Sequence, residues 1–512
     1  MKLLIVVISS MVLLSHLYAF GEVRLPRVFG SNMVLQRDMP VPIWGWACAN
    51  ENVTITLIRD SNGETVSTLE VVADEKGDWK SELPSTEAGG PYTLTVDGGN
   101  TVKLSNILFG EVWVCSGQSN MEWPVNASDN SQDEIAAADY PNIRLFHIPR
   151  VASGLPMLDV DAQWRTTTPD NIRHFSAVAY YFGRHLYNQL DIPIGLINTS
   201  WGGTRIEPWT PPIGFDAIPA LSSISDEIND IDTNYRAQLP EKITEIEEWI
   251  SETKDAIENN STVIQMPENI HPLTNSGRPT SLYNAMIYPI VPYAIRGALW
   301  YQGESNMPEG MMYHEKMKAL ISGWRDVWGQ GEFPFYFVQL APFNYGGQDD
   351  ETERLARLWE AQSATLSVAN TGMVVTTDVG NIRDIHPRNK QAVGLRLALW
   401  ALGKTYGKND IVYSGPLYKS MQVEGESIRC SFDHIGGGLT SSDDQSLTWF
   451  EIAGEDKQFY KANAVVDGDS VVVSSENVSS PVAVRFGWDQ IAEPNLINKE
   501  GLPASPFRTD SW

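Results

Sequence analysis

Short runs of alternating polar and apolar residues fill the chain from Val23 to about Lys103, for example "NVTITLI", "GETVSTLEVVA" and "PYTLTVDGGN". Gly, Pro, Asn and Asp break the runs, and period-two alternation closed by turn formers is the pattern of antiparallel hairpins. It predicts a β-sandwich module over residues 22–105. From Ile107 the rhythm changes to nearly continuous apolar runs, "ILFGEVWVC", "IPIGLINTS", "AIRGALWYQ", "FPFYFVQL" and "GMVVTTDV". Between them lie stretches of helical spacing such as "SAVAYYFGRHLYNQL", "YHEKMKALISGWRDVW", "LARLWEAQSATLSVA" and "NKQAVGLRLALWALGKTYG". Such alternation predicts an α/β fold, a mainly parallel sheet with helices on both faces, spanning 106–408. Within it, 216–265 carries apolar residues at helical spacing among acidic neighbours and reads as a helical insertion. Short β runs return from residue 409, as in "SVVVSS" and "PVAVRFGW", and predict a C-terminal β module over 409–512.

The first 19 residues, "MKLLIVVISSMVLLSHLYA", stand apart. An early lysine, an apolar middle and a small residue at the end form the layout of a secretory signal peptide, too short for a membrane span. Export is the expectation, to a periplasm or the cell exterior, or to a lysosome in a eukaryote. Three cysteines, Cys48, Cys115 and Cys430, are too few and too scattered for a disulfide framework or a metal cluster. A net charge of -27 repels polyanions, which argues against nucleic acid and anionic membrane surfaces as partners. Seventeen tryptophans and eighteen tyrosines could stack on sugar rings, although most aromatic side chains belong in a core. No feature of the sequence specifies an oligomeric state.

In an open α/β sheet, ligands sit at the carboxyl ends of the strands, so the loops after the apolar runs are where chemistry is expected. Four have unusual contents: "SGQSNM" with Ser119, "NTSWGGTRIEPW" with Gly202 and Gly203, "WYQGESN" with Gln302, Glu304 and Asn306, and "DVGNIRDIHPRNK" with Asp378, Asp384 and His386. Acyl transfer requires a hydroxyl, an imidazole to take its proton, a carboxylate to orient the imidazole, and donors for the developing oxyanion. Ser119, His386 and Asp384 fill the first three roles. The backbone N–H groups of Ser119 and Gly203 and the side-chain amide of Asn306 fill the fourth. Gln118, Trp201, Gly202, Arg205, Gln302 and Glu304 are the candidate substrate contacts. Each loop alone is ordinary turn or cap chemistry; their arrival at the exits of one sheet, with a candidate for every role, makes the case.

These blocks resemble those of the SGNH (GDSL-like) hydrolases, and within them the sialate O-acetylesterase family of carbohydrate esterases. The likeness runs from "LPRVFGSNMVLQRDMPVPIWGWA" through "GEVWVCSGQSNMEWPV", "TSWGGTRIEPWTP", "RGALWYQGESN" and "DIHPRNKQAVGLRLAL" to the closing "PVAVRFGWDQIAEPNLINKEGLPASPFRTD". It implies a three-layer α/β/α core and a serine esterase that removes O-acetyl groups from sugars without metal or organic cofactor. Ser119 matches the family's nucleophile, Gly202-Gly203 its second block, Asn306 its third and His386 its base. The acid departs from the general pattern, which leaves two residues before the histidine and would fall on Arg383. Here Asp384 precedes His386 with one residue between, and Asp378 is the alternative acid. Arg205 suits either the carboxylate of a sialate or an internal pair with Glu207. Acetylated xylan or another hemicellulose is the alternative substrate, and a secreted glycan-binding protein without catalysis is the alternative of another class.

Overall fold

The computed structural model describes residues 22–347 and 351–512, so the expected leader, Met1–Ala19, lies outside the described residues. One strand, β1 (Thr101–Gly117), joins the N-terminal module to the central sheet. It alternates between exposed and half-buried positions up to Asn106 and is buried from Ile107 onward. Coverage explains the change. The strand leaves a module whose sheet meets solvent on one side and enters a sheet covered on both, where strands read as unbroken apolar runs. Asn106 marks the junction with a left-handed backbone, φ 57°. The boundary expected at residues 105–106 therefore falls inside a continuous strand. Beside β1 in the module lie the antiparallel strands Gly89–Asp97, Asn52–Arg59 and Glu64–Val72, while Val41–Trp46 pairs with Asp78–Leu83.

Six further strands complete the central sheet: β2 (Tyr140–His147), β3 (Trp164–Thr167), β4 (Ile194–Ser200), β5 (Gly297–Tyr301), β6 (Phe335–Val338) and β7 (Thr371–Val374). Their order is β3-β2-β4-β1-β5-β6-β7, parallel throughout except for β3, which is antiparallel to β2. The chain fills one side of β1 first and the other side afterwards, so the order reverses at β1. Such a reversal opens a crevice at the carboxyl ends. Register then brings the exits together, because Gly117 of β1 lies opposite both Ser200 of β4 and Tyr301 of β5.

The helices that matter for the crevice are α1 (Ser119–Glu122), α2 (Ala177–Leu190), α3 (Ser222–Glu258), α4 (Met312–Trp328), α5 (Arg354–Ala364) and α6 (Lys390–Trp400). Helix α3 lies within the expected insertion and buries little beyond Ser225 and Ile228. The core holds Trp113, Trp209, Trp300, Trp324 and Trp359 fully buried, which accounts for these aromatics as packing. It also holds Glu111, at 0% exposure, between Arg37 at 2.5 Å and Arg296 at 2.5 Å, a buried carboxylate with the paired cations it requires. Beyond the core, two four-stranded antiparallel sheets build the C-terminal module around their own apolar cluster, including Ile428, Val471, Ile452 and Phe486. Arg485 reaches back to Glu353 at 2.8 Å and Arg508 to Glu360 of α5 at 3.0 Å. No helix among the described residues is long and apolar enough to cross a membrane, and no group of three or more His, Cys, Asp or Glu among them is disposed to hold a metal.

Candidate active site

The turn that carries Ser119 is built on close approach. Gly117 has φ 142°, and a Cβ there would lie 2.1 Å from the carbonyl oxygen of Tyr301. Only glycine lets β1 stay paired with β5 while the chain turns into α1. Helix α1 is pinned by fully buried Met121, whose carbonyl accepts from the Ser176 hydroxyl at 2.6 Å. Ser119, at the start of that helix, is half-buried at the crevice.

His386 arrives from the loop between β7 and α6, and its Nε2 lies 2.9 Å from Ser119 Oγ. The ring stacks on Trp123, centroids 4.8 Å apart and planes at 19°. Burial and the Lys390 ammonium lower the imidazole pKa below its ordinary 6.5, against an opposing pull from Asp384. A neutral base is the result at neutral pH. The acidic limb of kcat/KM is therefore expected to fall below pH 6.5. A pH–rate profile checks this, and an inflection above that value would contradict it.

Asp384 lies beside the ring without reaching it. Its Oδ1 is 3.7 Å from His386 Nδ1, beyond hydrogen-bond distance, and accepts instead the backbone N–H of His386 at 3.0 Å. It shapes the loop directly. Asp378, the alternative acid, is clamped by Arg396 through bonds of 2.7 and 2.5 Å.

Glycines again set the approach on the second loop. A Cβ at Gly202 would fall 3.2 Å from Ser119 Cβ, and the Gly202 N–H donates to Glu122 Oε2 at 2.9 Å. Gly203 follows with φ 76°. Its N–H and that of Ser119 have no hydrogen-bond partner among the described residues, which leaves both for an incoming oxyanion.

The third loop departs from expectation. Asn306 is fully buried, and its amide hydrogens go to Glu207 at 3.1 Å and Glu309 at 3.1 Å. None remains for an oxyanion. Gln302, also fully buried, donates to the Thr204 carbonyl at 3.2 Å and to Asn306 Oδ1 at 2.8 Å, so it braces two loops rather than facing a substrate. Arg205 pairs with Glu207 at 3.0 Å and with Glu309, the internal pairing that was the other reading of this residue. Glu304 receives the Asn120 amide at 2.5 Å. Gln118 is 3% exposed, and its Oε1 accepts long bonds from the N–H groups of Gly303 at 3.4 Å and Ser305 at 3.5 Å. Trp201 is half-buried and packs against the core.

Glu207, Glu309, Arg205 and Lys316 together form a charged cluster behind the second and third loops. Burial raises the Glu207 pKa, but Lys316 at 2.7 Å and the Asn306 amide outweigh it and bring it to about 2. Because this folded value lies below the ordinary 4.5, the carboxylate stabilises the fold above about pH 4.5 and loses that effect as pH falls towards 2. Glu207→Gln is expected to lower Tm at pH 7 and to flatten the acid-induced loss of Tm between those values; parallel curves for variant and parent would contradict this.

Sequence reasoning missed Asn120, Glu122, Trp123 and Lys390. Glu122 ties α1 to the second loop and meets Arg150 at 2.5 Å. Lys390 carried a signal: a lysine heading the apolar segment "KQAVGLRLALW" is a candidate for burial.

The chain as a whole is similar to known carbohydrate esterases. The profile of a family described as carbohydrate esterase, sialic acid-specific acetylesterase, matches residues 262–402. A rat sialate O-acetylesterase is 32% identical over 430 residues, covering 76% of this chain and 75% of its own. A human sialate O-acetylesterase is 30% identical over 437 residues, covering 78% and 74%. Among solved structures, a carbohydrate acetylesterase from Xanthomonas citri aligns with TM-score 0.80 and 36% identity over 96% of this chain and 100% of its own.

Proposed function

The chain belongs to the sialate O-acetylesterase family of carbohydrate esterases and is a carboxylic ester hydrolase; we propose that it removes O-acetyl groups from sialic acids through an acetyl-enzyme on Ser119. The contact of 2.9 Å between Ser119 Oγ and His386 Nε2 carries the reading. His386 takes the hydroxyl proton as Ser119 attacks the acetyl carbonyl, while the N–H groups of Ser119 and Gly203 meet the oxyanion. The sugar alcohol leaves with the proton held by His386. Water, activated by the same imidazole, then releases acetate. The α/β core with its site at the strand exits supports an SGNH-like assignment, and the apolar leader supports export to the periplasm or cell exterior.

A second reading, a neutral acetylated sugar such as an acetylated hemicellulose, is favoured by one observation. Arg205, the cation beside the second loop, is bound to Glu207 and Glu309 and so has no free edge for a sialate carboxylate. Acetate release measured side by side from O-acetylated sialic acids and acetylated xylan oligomers separates the two. Faster release from the sialates supports the first reading, faster release from the oligomers the second. No release from either would refute the acetylesterase proposal.

A further inference from the structure

Behind the serine–histidine contact lies a set of polar side chains that the reaction above leaves without a task. Asn120, 1% exposed, directly follows the nucleophile. Its amide nitrogen donates to the carbonyl of Ile385 at 3.0 Å and to Glu304 Oε1 at 2.5 Å. Its oxygen accepts from Lys390 Nζ at 2.5 Å, and Lys390 is fully buried at the first turn of α6. One amide thus joins three strand exits: the turn after β1, the loop after β5 and the loop that ends in α6. Ile385 is the residue just before His386, so the bond to its carbonyl fixes the peptide from which the imidazole hangs.

Two features say that this arrangement is more than packing. A lysine without exposure and a carboxylate whose Oε2 has no hydrogen-bond partner among the described residues are costly groups to bury, and apolar side chains would fill the space more cheaply. Asp384, moreover, leaves His386 Nδ1 without a close carboxylate, at 3.7 Å, so the placement of the ring falls on its backbone and on Trp123. Lys390 also lies over the rings of Trp123 at 6.0 Å and Tyr301 at 5.1 Å, next to the surface on which the imidazole stacks.

We propose that Asn120, held between Glu304 and Lys390, is a positioning residue that ties the histidine loop to the nucleophile turn and keeps the imidazole against Ser119. The inference rests on the roles assigned above to Ser119 and His386. The charged and titratable groups facing His386 are Lys390 and Asp384; those facing Lys390 are Glu304, Asp384 and His386; those facing Glu304 are Lys390 and the hydroxyls of Tyr301, Tyr313 and Tyr345. Burial brings the Lys390 pKa down to about 7, against the pull of Glu304 and Asp384, and pushes that of Glu304 up. Charge on Lys390 in turn lowers the basicity of His386.

The test uses the full chain and the variants Asn120→Ala and Lys390→Met, read by steady-state kinetics on an acetyl ester and by imidazole nitrogen NMR, with His386→Asn assigning the signal. Asn120→Ala is expected to lower kcat about 100-fold with KM changed by less than about threefold, the signature of misplaced groups rather than lost binding. Its His386 signal should shift towards that of a solvent-exposed, tautomer-averaged ring. Lys390→Met should lower kcat and move the acidic limb to higher pH, since removing the positive charge raises the imidazole pKa; it also carries the test should Asn120→Ala fail to fold. An Asn120→Ala variant with kcat within about threefold of the parent and an unchanged imidazole signal would overturn the proposal. A parent chain inactive on every acetyl ester, with the imidazole signal still altered in Asn120→Ala, would sink the esterase reading and leave the positioning role standing.

Discussion

Replacing Ser119 by alanine is expected to lower acetate release from an O-acetylated sugar by a factor on the order of 10⁵ to 10⁶, with Tm unchanged. The size follows from the roles that meet at this atom. In the proposed reaction the hydroxyl forms the acetyl-enzyme and gives its proton to His386, 2.9 Å away. Removing either member of such a pair costs nearly as much as removing both, because each is useless alone. What survives is the modest help from the N–H groups of the turn and from binding. Folding should be indifferent to the change, since Ser119 is half-buried and its side chain has only the histidine as hydrogen-bond partner among the described residues. Retention of more than about one tenth of parental turnover would remove the serine from the mechanism.

Gly117→Ala should have the largest effect on the fold, a loss of more than about 4 kcal/mol. A Cβ at this position would meet the Tyr301 carbonyl oxygen at 2.1 Å, and that atom belongs to the backbone of β5, which has no rotamer to change. The φ of 142° adds strain for any residue with a side chain. Relief requires β1 and β5 to part at the very rung where Gly117 faces Tyr301, and the turn carrying Ser119 moves with them. A fall in Tm and a loss of activity of at least about 100-fold are expected together. Calorimetry alongside acetate release checks both, and a variant that keeps parental Tm would show that the turn is not built on this contact.

The legible parts of the molecule were those written in local pattern. The alternation of Asn52–Arg59 and the apolar run that opens Ile194–Ser200 each report how many faces of a strand are covered, which a single segment can show. Strand exits follow from that, and Ser119, Gly202 and His386 do come together there. What the pattern hid was pairing between distant residues. Asn306 and Arg205 look like free polar groups in sequence, but Glu207, Glu309 and Lys316 occupy them, and nothing local announces that the second loop, the third loop and α4 meet. Asn120 was overlooked for the same reason, as its partners lie 184, 265 and 270 residues away. The module boundary was obscured differently. A strand shared by two sheets changes its burial without interrupting its backbone, so the change of rhythm near Ile107 marks a change of coverage and not a linker.

The most direct measurement is the site of covalent labelling by a fluorophosphonate, a reagent that captures activated serine hydroxyls, mapped by peptide mass spectrometry. One phosphonyl group on the peptide bearing Ser119, gained in step with the loss of acetate release and slowed by an O-acetylated sugar, is the predicted result. Complete inactivation with the label on any other residue, or full acetate release from protein labelled at Ser119, would contradict it.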